Sequence, residues 1–180
     1  PYASLYWAFS LIDAGVQAEV VARRLIAHAS EDVGLANPTA MLVAVSALSA
    51  IKELGVPEGL IPLSQAIITV ATSPKSNAVI EAMHGAREAV KGAMINEVPM
   101  HLRNYDFFSG EKYDSYKYPH AYGGYVEQEY LPARLKGTRF YYPTENGHEA
   151  KIKETMERLS KRFQSNGGNE NNGGKEFKHG

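Results

Sequence analysis

The chain has 180 residues, 44% of them apolar, with 19 Lys and Arg against 20 Asp and Glu and no cysteine. That length suits one packed domain, and the near-zero net charge advertises no global affinity for nucleic acid or an anionic membrane. The missing thiols exclude disulfides, thiolate metal sites and cysteine nucleophiles and agree with a reducing cytoplasm. Nothing at Pro1 reads as a targeting peptide, and the opening predicts a piece cut from a longer protein.

Five helices are predicted in the first hundred residues, near 3–14, 17–33, 38–54, 58–72 and 74–91. Gly15, Gly34, Gly55 and Gly92 each follow a run of helix formers, where a left-handed C-terminal cap favours glycine. Asn37–Pro38 and Ser73–Pro74 read as N-caps followed by a first-turn proline, and Pro62 in the fourth helix is expected to delay its start.

The second helix is one-sided. Val21, Ala22, Leu25, Ile26, Ala29 and Val33 face one way, and Arg23, Arg24, Ser30 and Glu31 the other. The third and fourth are not, because Ala36–Ile51 and Gly59–Pro74 hold no charge and their large apolar residues point all around the axis. Both runs fall short of a membrane span, which needs about 20 apolar residues. They predict burial in a subunit interface, with Met41, Leu42, Val45, Leu48, Ile67 and Ile68 as the candidate contacts.

After Gly92 the rhythm changes. Residues 101–164 carry 11 basic and 9 acidic groups with 13 aromatics, against four aromatics in residues 1–100. Pro99, Pro119, Pro132 and Pro143 predict an irregular arm leaning on the bundle. A closing helix is expected near 146–164, started by an Asn146/Glu149 capping box and lined by Ile152, Met156, Leu159 and Phe163. Five Gly and four Asn among the last sixteen residues predict a disordered tail. The expected divisions are therefore 1–92 bundle, 93–145 arm, 146–164 helix and 165–180 tail.

Catalytic motifs are absent from the sequence: it has no phosphate loop, GxSxG elbow, HExxH or calcium loop. Gly173, Gly174 and Lys175 lack the spacing and hydroxyl that a phosphate loop needs. His28 and Asp32 stand four apart, but two side chains do not make a metal site, and the bland reading is a charged helix edge. Between His101 and Arg139 cations alternate with tyrosines, a composition that binds single-stranded nucleic acid. Acidic groups share the region, and packing of the rings, each hydroxyl finding one partner, is the favoured expectation.

Six strings in order carry a resemblance: RRLIAHASEDVGLANP (23–38), SPKSNAV (73–79), PMHLRN (99–104), YKYPHAY (116–122), QEYLP (128–132) and FYYPTENG (140–147). Residues 1 to about 160 resemble the C-terminal part of the AAA+ ATPase family of replication-associated recombination protein A. That family includes the yeast maintenance-of-genome-stability protein and human Werner-helicase-interacting protein. The resemblance implies an all-α collar similar to those of clamp-loader subunits, holding a homotetramer that acts at stalled forks in replication, recombination and repair. It also implies an ATPase module elsewhere in the parent protein, where ATP and magnesium would bind, leaving this part non-enzymatic and without cofactor. The expected partners are a second copy of the chain, single-stranded or fork-end DNA and single-stranded-DNA-binding protein, in the cytoplasm at the nucleoid and not at a membrane. Arg23, Arg24, Lys75, Arg103 and Lys117 are the candidate DNA contacts. The family usually has a lysine-rich helix after HLRN, whereas Tyr105–Tyr116 reads YDFFSGEKYDSY, which weakens any DNA contact carried over through that loop.

Two other readings compete. One is a binding module for single-stranded DNA or a replication partner through residues 101–142. The other, a histidine- or metal-dependent enzyme, has no assembled constellation behind it.

Overall fold

The computed structural model describes residues 1–93, 98–103 and 116–166, with side chains to residue 161. The fold is all-α: α1 (Tyr2–Asp13), α2 (Ala18–His28), α3 (Thr39–Leu54), α4 (Leu60–Thr72), α5 (Ala78–Val90) and α6 (Glu149–Asn166). No strand occurs among the described residues. None of their helices is long and apolar enough to cross a membrane.

Two compact units divide the chain. The first joins Pro1–Ala93 to Gly137–Lys153, and the second takes in the described residues of Met94–Lys136 and Glu154–Gly180. Residues 137–145, expected in the arm, thus belong to the bundle's own unit. The second unit's described loops carry single 3-10 turns at Met100–Leu102, Pro119–Tyr122 and Ala133–Leu135, each beginning at or just after a proline. Residues 104–115, which hold all but the last residue of the divergent segment, and the tail from 167 lie outside the described residues, as does the side chain of Phe163.

In the bundle α3 packs on α4 and α2, and α1 and α2 both meet α4. One core cluster gathers Ala8, Ala18, Ala22, Ile51, Leu63 and Ile67. A second holds Ala29, Val33, Ala40, Ala44 and Val70. The inner face of α3 is therefore Ala40, Ala44, Ala47 and Ile51. Small side chains at i, i+4 and i+7 let its neighbours approach closely, and Met41, Leu42 and Val45 turn outward.

Several boundaries differ from expectation for local reasons. Helix α2 stops at His28 and widens into a π turn over Ala29–Val33. Ser30 Oγ donates to the Ile26 carbonyl at 3.1 Å, and the Asp32 carbonyl accepts the Ser76 amide at 2.8 Å. Helix α4 starts at Leu60, two residues late, with Pro62 in its first turn. Helix α5 begins at Ala78 rather than 74. Ser73 does not cap it, because its hydroxyl donates 2.6 Å back to the Thr69 carbonyl and accepts the Asn37 amide at 2.9 Å. Asn37 does serve α3, its Oδ1 accepting the Thr39 amide at 3.2 Å.

Candidate functional site

The bundle exposes more apolar surface than a lone domain needs. On α3, Met41, Leu42 and Val45 are exposed, Leu42 to 60%. On α4, Ile61 and Ile68 are exposed, seven residues apart on one helical stripe. On α1, Tyr2, Tyr6, Trp7 and Leu11 stand out, and the Tyr6 and Trp7 rings meet edge to face at 5.0 Å. Such faces mark places where another surface docks.

Of the six residues predicted to make an interface, four have this exposure: Met41, Leu42, Val45 and Ile68. Of the other two, Ile67 is corrected and Leu48 is only partly buried. Ile67 is only 3% exposed and belongs to the core, and Leu48 packs against the same cluster. The pattern was not separable by sequence, because in an uncharged helix every apolar residue has an equal claim on the inside. In α3 the alanines took most of it, and in α4 Leu63, Ala66, Ile67 and Val70 did.

The predicted cations are divided between the two units. Arg23 and Arg24 lie exposed on α2, opposite its packed face. Lys75 is exposed, and its ammonium donates to the Val70 carbonyl at 2.7 Å and the Ser73 carbonyl at 2.5 Å, closing the C-terminal end of α4. Arg103 and Lys117 belong to the second unit, where Arg103 Nε donates to the Val98 carbonyl at 3.0 Å and the exposed Lys117 pairs its backbone with the Gln128 side chain.

A polar node is the feature that the sequence did not announce. Glu149 was expected to reach back to Asn146 as a capping box. Instead its side chain is fully buried, 0% exposed. Oε2 accepts the Ser76 hydroxyl at 2.7 Å, the Thr144 hydroxyl at 2.6 Å and the Thr144 amide at 3.0 Å, while Oε1 accepts the Tyr141 hydroxyl at 2.8 Å. Burial alone pushes the carboxyl's pKa up, but the hydrogen bonds from Ser76, Thr144 and Tyr141 outweigh it and hold Glu149 below its ordinary value. Tyr141 moves the opposite way, raised by its own burial and by the adjacent carboxylate. Asn146 spends its amide on the Lys75 carbonyl at 2.8 Å.

Beside this node a cleft of about 430 Å³ is lined by His28, Asp32, Lys75, Asn77 and Asn146, among others. His28 Nδ1 and Asp32 Oδ2 meet there at 2.5 Å, both half-exposed, as the charged-edge reading expected. No group of three or more potential metal ligands gathers among the described residues.

Packing of the arm's tyrosines is also corrected. Tyr116, Tyr118, Tyr122, Tyr125 and Tyr130 in the second unit are exposed, and so is Tyr142 in the first. Tyr118 and His120 rings lie 5.1 Å apart.

Residues 1–160 match the family model described as MgsA AAA+ ATPase C terminal. The chain is 41% identical over 162 residues to the Replication-associated recombination protein A of Coxiella burnetii, covering 87% of this chain and 37% of that protein. The protein of the same name from Bacillus subtilis is 39% identical over 165 residues, covering 89% and 39%. A more distant relative is the ATPase WRNIP1 of Dictyostelium discoideum, 31% identical over 147 residues, covering 77% and 16%. The chain thus spans less than two-fifths of the length of these relatives.

Proposed function

The chain belongs to the MgsA AAA+ ATPase C-terminal family, and on that premise we propose that it is the part of a replication-associated recombination ATPase that assembles four copies into a ring. The single observation that carries this reading is the outward apolar surface of α3 and α4, where Met41, Leu42, Val45, Ile61 and Ile68 stand exposed although each helix already buries an apolar face of its own. A clamp-loader-like collar needs such a face. Its work is arrangement: fixing each ATPase site against its neighbour lets DNA contacts bias hydrolysis by shifting the population of competent interfaces. ATP and magnesium would bind in the rest of the parent protein, and the parent would act on single-stranded or fork-end DNA in replication, recombination and repair at the nucleoid.

The variant Leu42→Asp with Val45→Asp tests the reading. Both side chains are already exposed, so the fold should keep its melting temperature to within a few degrees while self-association falls away. An unchanged assembly in that variant removes the α3 face from the account.

A second reading draws on a different observation. Five exposed tyrosines in the second unit, with Lys117 and Arg134 exposed beside them in sequence, suit stacking on unpaired bases. Binding of an oligothymidylate that weakens steeply with salt and is lost when Tyr118 and Tyr122 become alanine would support it.

A further inference from the structure

The corner between α3 and α4 is exposed and apolar, and carries two carboxylates with Lys52 beside the first. Glu53, Leu54, Val56, Pro57 and Glu58 are all exposed, Leu54 and Val56 to 57% and 60%. It is also stiff. The Gly55 amide donates to Ile51 and the Gly59 amide to Gly55, at 2.9 and 2.8 Å, and Leu60 closes on the Pro57 carbonyl at 3.0 Å. Gly59 sits so close that an added Cβ would meet Ile51 Cα at 2.9 Å. An exposed apolar tip held this firmly loses little conformational freedom when it docks.

The second unit holds the converse shape. A pocket of about 480 Å³ has Val98, Met100 and Leu131 among its walls and the cations Arg103, Arg134 and Lys136 among its lining. Its one acidic lining residue, Glu129, accepts the Leu131 amide at 3.0 Å and so turns one oxygen to its own backbone. Two 3-10 turns, Met100–Leu102 and Ala133–Leu135, form part of that wall. The volume lies within the range of pockets that enclose a small ligand, ample for two aliphatic side chains. No aromatic ring lines it, which favours an aliphatic anchor over a stacked base.

We infer that the Leu54–Val56 corner of one copy docks in this pocket of a second copy, with Glu53 and Glu58 meeting Arg103, Arg134 and Lys136. This rests on the assembly reading and deepens it. Knob and pocket are different surfaces, so the contact is heterologous, the class that closes rings when repeated. Apolar side chains supply the anchor, and opposite charges at its margin set the register.

The test is the solution mass of the full chain over a concentration series for four proteins: wild type, E53K/E58K, R134E/K136E and the combination of all four changes. A fifth, Ala133→Trp, fills the pocket without altering charge. Each charge reversal alone and the tryptophan should weaken association about tenfold or more, and the combined protein should regain it, with melting curves confirming that every variant folds. Associating wild type with unaffected variants overturns this contact and leaves assembly standing. Weakening without recovery in the combined protein overturns the pairing of these two surfaces. A wild type that stays monomeric overturns the assembly reading itself.

Discussion

Tyr141 and Glu149, eight residues apart in sequence, are joined by a 2.8 Å hydrogen bond from the phenol to Oε1, on a carboxylate with no exposed surface. The other oxygen takes Ser76 and Thr144. One carboxylate therefore ties the loop before α5, the returning strand of chain at 140–146 and the first turn of α6. The His148 amide adds a 2.8 Å bond to the Ala36 carbonyl.

Glu149→Gln removes the charge while keeping the shape. The carboxylate accepts from three hydroxyls and one backbone amide, and the amide nitrogen of Gln would set a donor against some of these donors, so the variant should lose about 3 kcal/mol of stability. Tyr141→Phe removes one bond to the carboxylate and should cost about 2 kcal/mol. Chemical denaturation measures both, and a change below about 0.5 kcal/mol in Glu149→Gln would show that the node holds nothing together.

The same pair shapes stability against pH. Glu149 has a lowered pKa in the fold, so its contribution is fully present above the ordinary glutamate value of about 4.3 and is lost as pH falls through the folded value. Tyr141 is raised, so its contribution is fully present below about 10 and is lost as pH rises beyond it. Melting temperature should therefore fall on both sides. Glu149→Gln should flatten the acid limb, and Tyr141→Phe the alkaline one.

Gly147 stands where a side chain cannot. Its φ is +55°, and an added Cβ would collide with the Ala36 carbonyl oxygen and come within 2.6 Å of Pro74 Cγ. Gly147→Ala should cost more than about 2 kcal/mol by forcing the 146–149 turn off the bundle. Gly92→Ala is the control, since it has positive φ but nothing within 4 Å, and should cost less.

Ala44 is fully buried on the inner face of α3, where the spacing is set by alanine. Ala44→Leu should lose roughly 1 to 3 kcal/mol by overpacking. Lys75→Ala should lose about 1 kcal/mol, through the α4 carbonyls it caps. A Lys75→Ala protein with unchanged stability but impaired DNA binding would make this lysine a DNA contact rather than a cap.

Helices were legible because glycines, prolines and a 3.6-residue rhythm are local signals, and all six elements appear within a few residues of their predicted spans. The start of α5 was not, since Ser73, Lys75 and Ser76 answer to Thr69, Val70 and Glu149 rather than to their own helix. Glu149 was misread for the same reason: three residues after Asn146 the capping box is the local expectation, and only folding brings Ser76 within reach. In α3 and α4 the lack of charge announced an unusual surface, but which apolar residues faced outward depended on helix spacing that no local pattern encodes.

The most direct test of the account is the solution mass of this chain by light scattering coupled to gel filtration, at low and high salt and over a range of concentrations. The exposed α3 and α4 face predicts a tetramer that persists as salt rises, because apolar burial is not screened. A well-behaved monomer at every concentration would contradict the collar and leave binding through the exposed tyrosines as the reading to pursue.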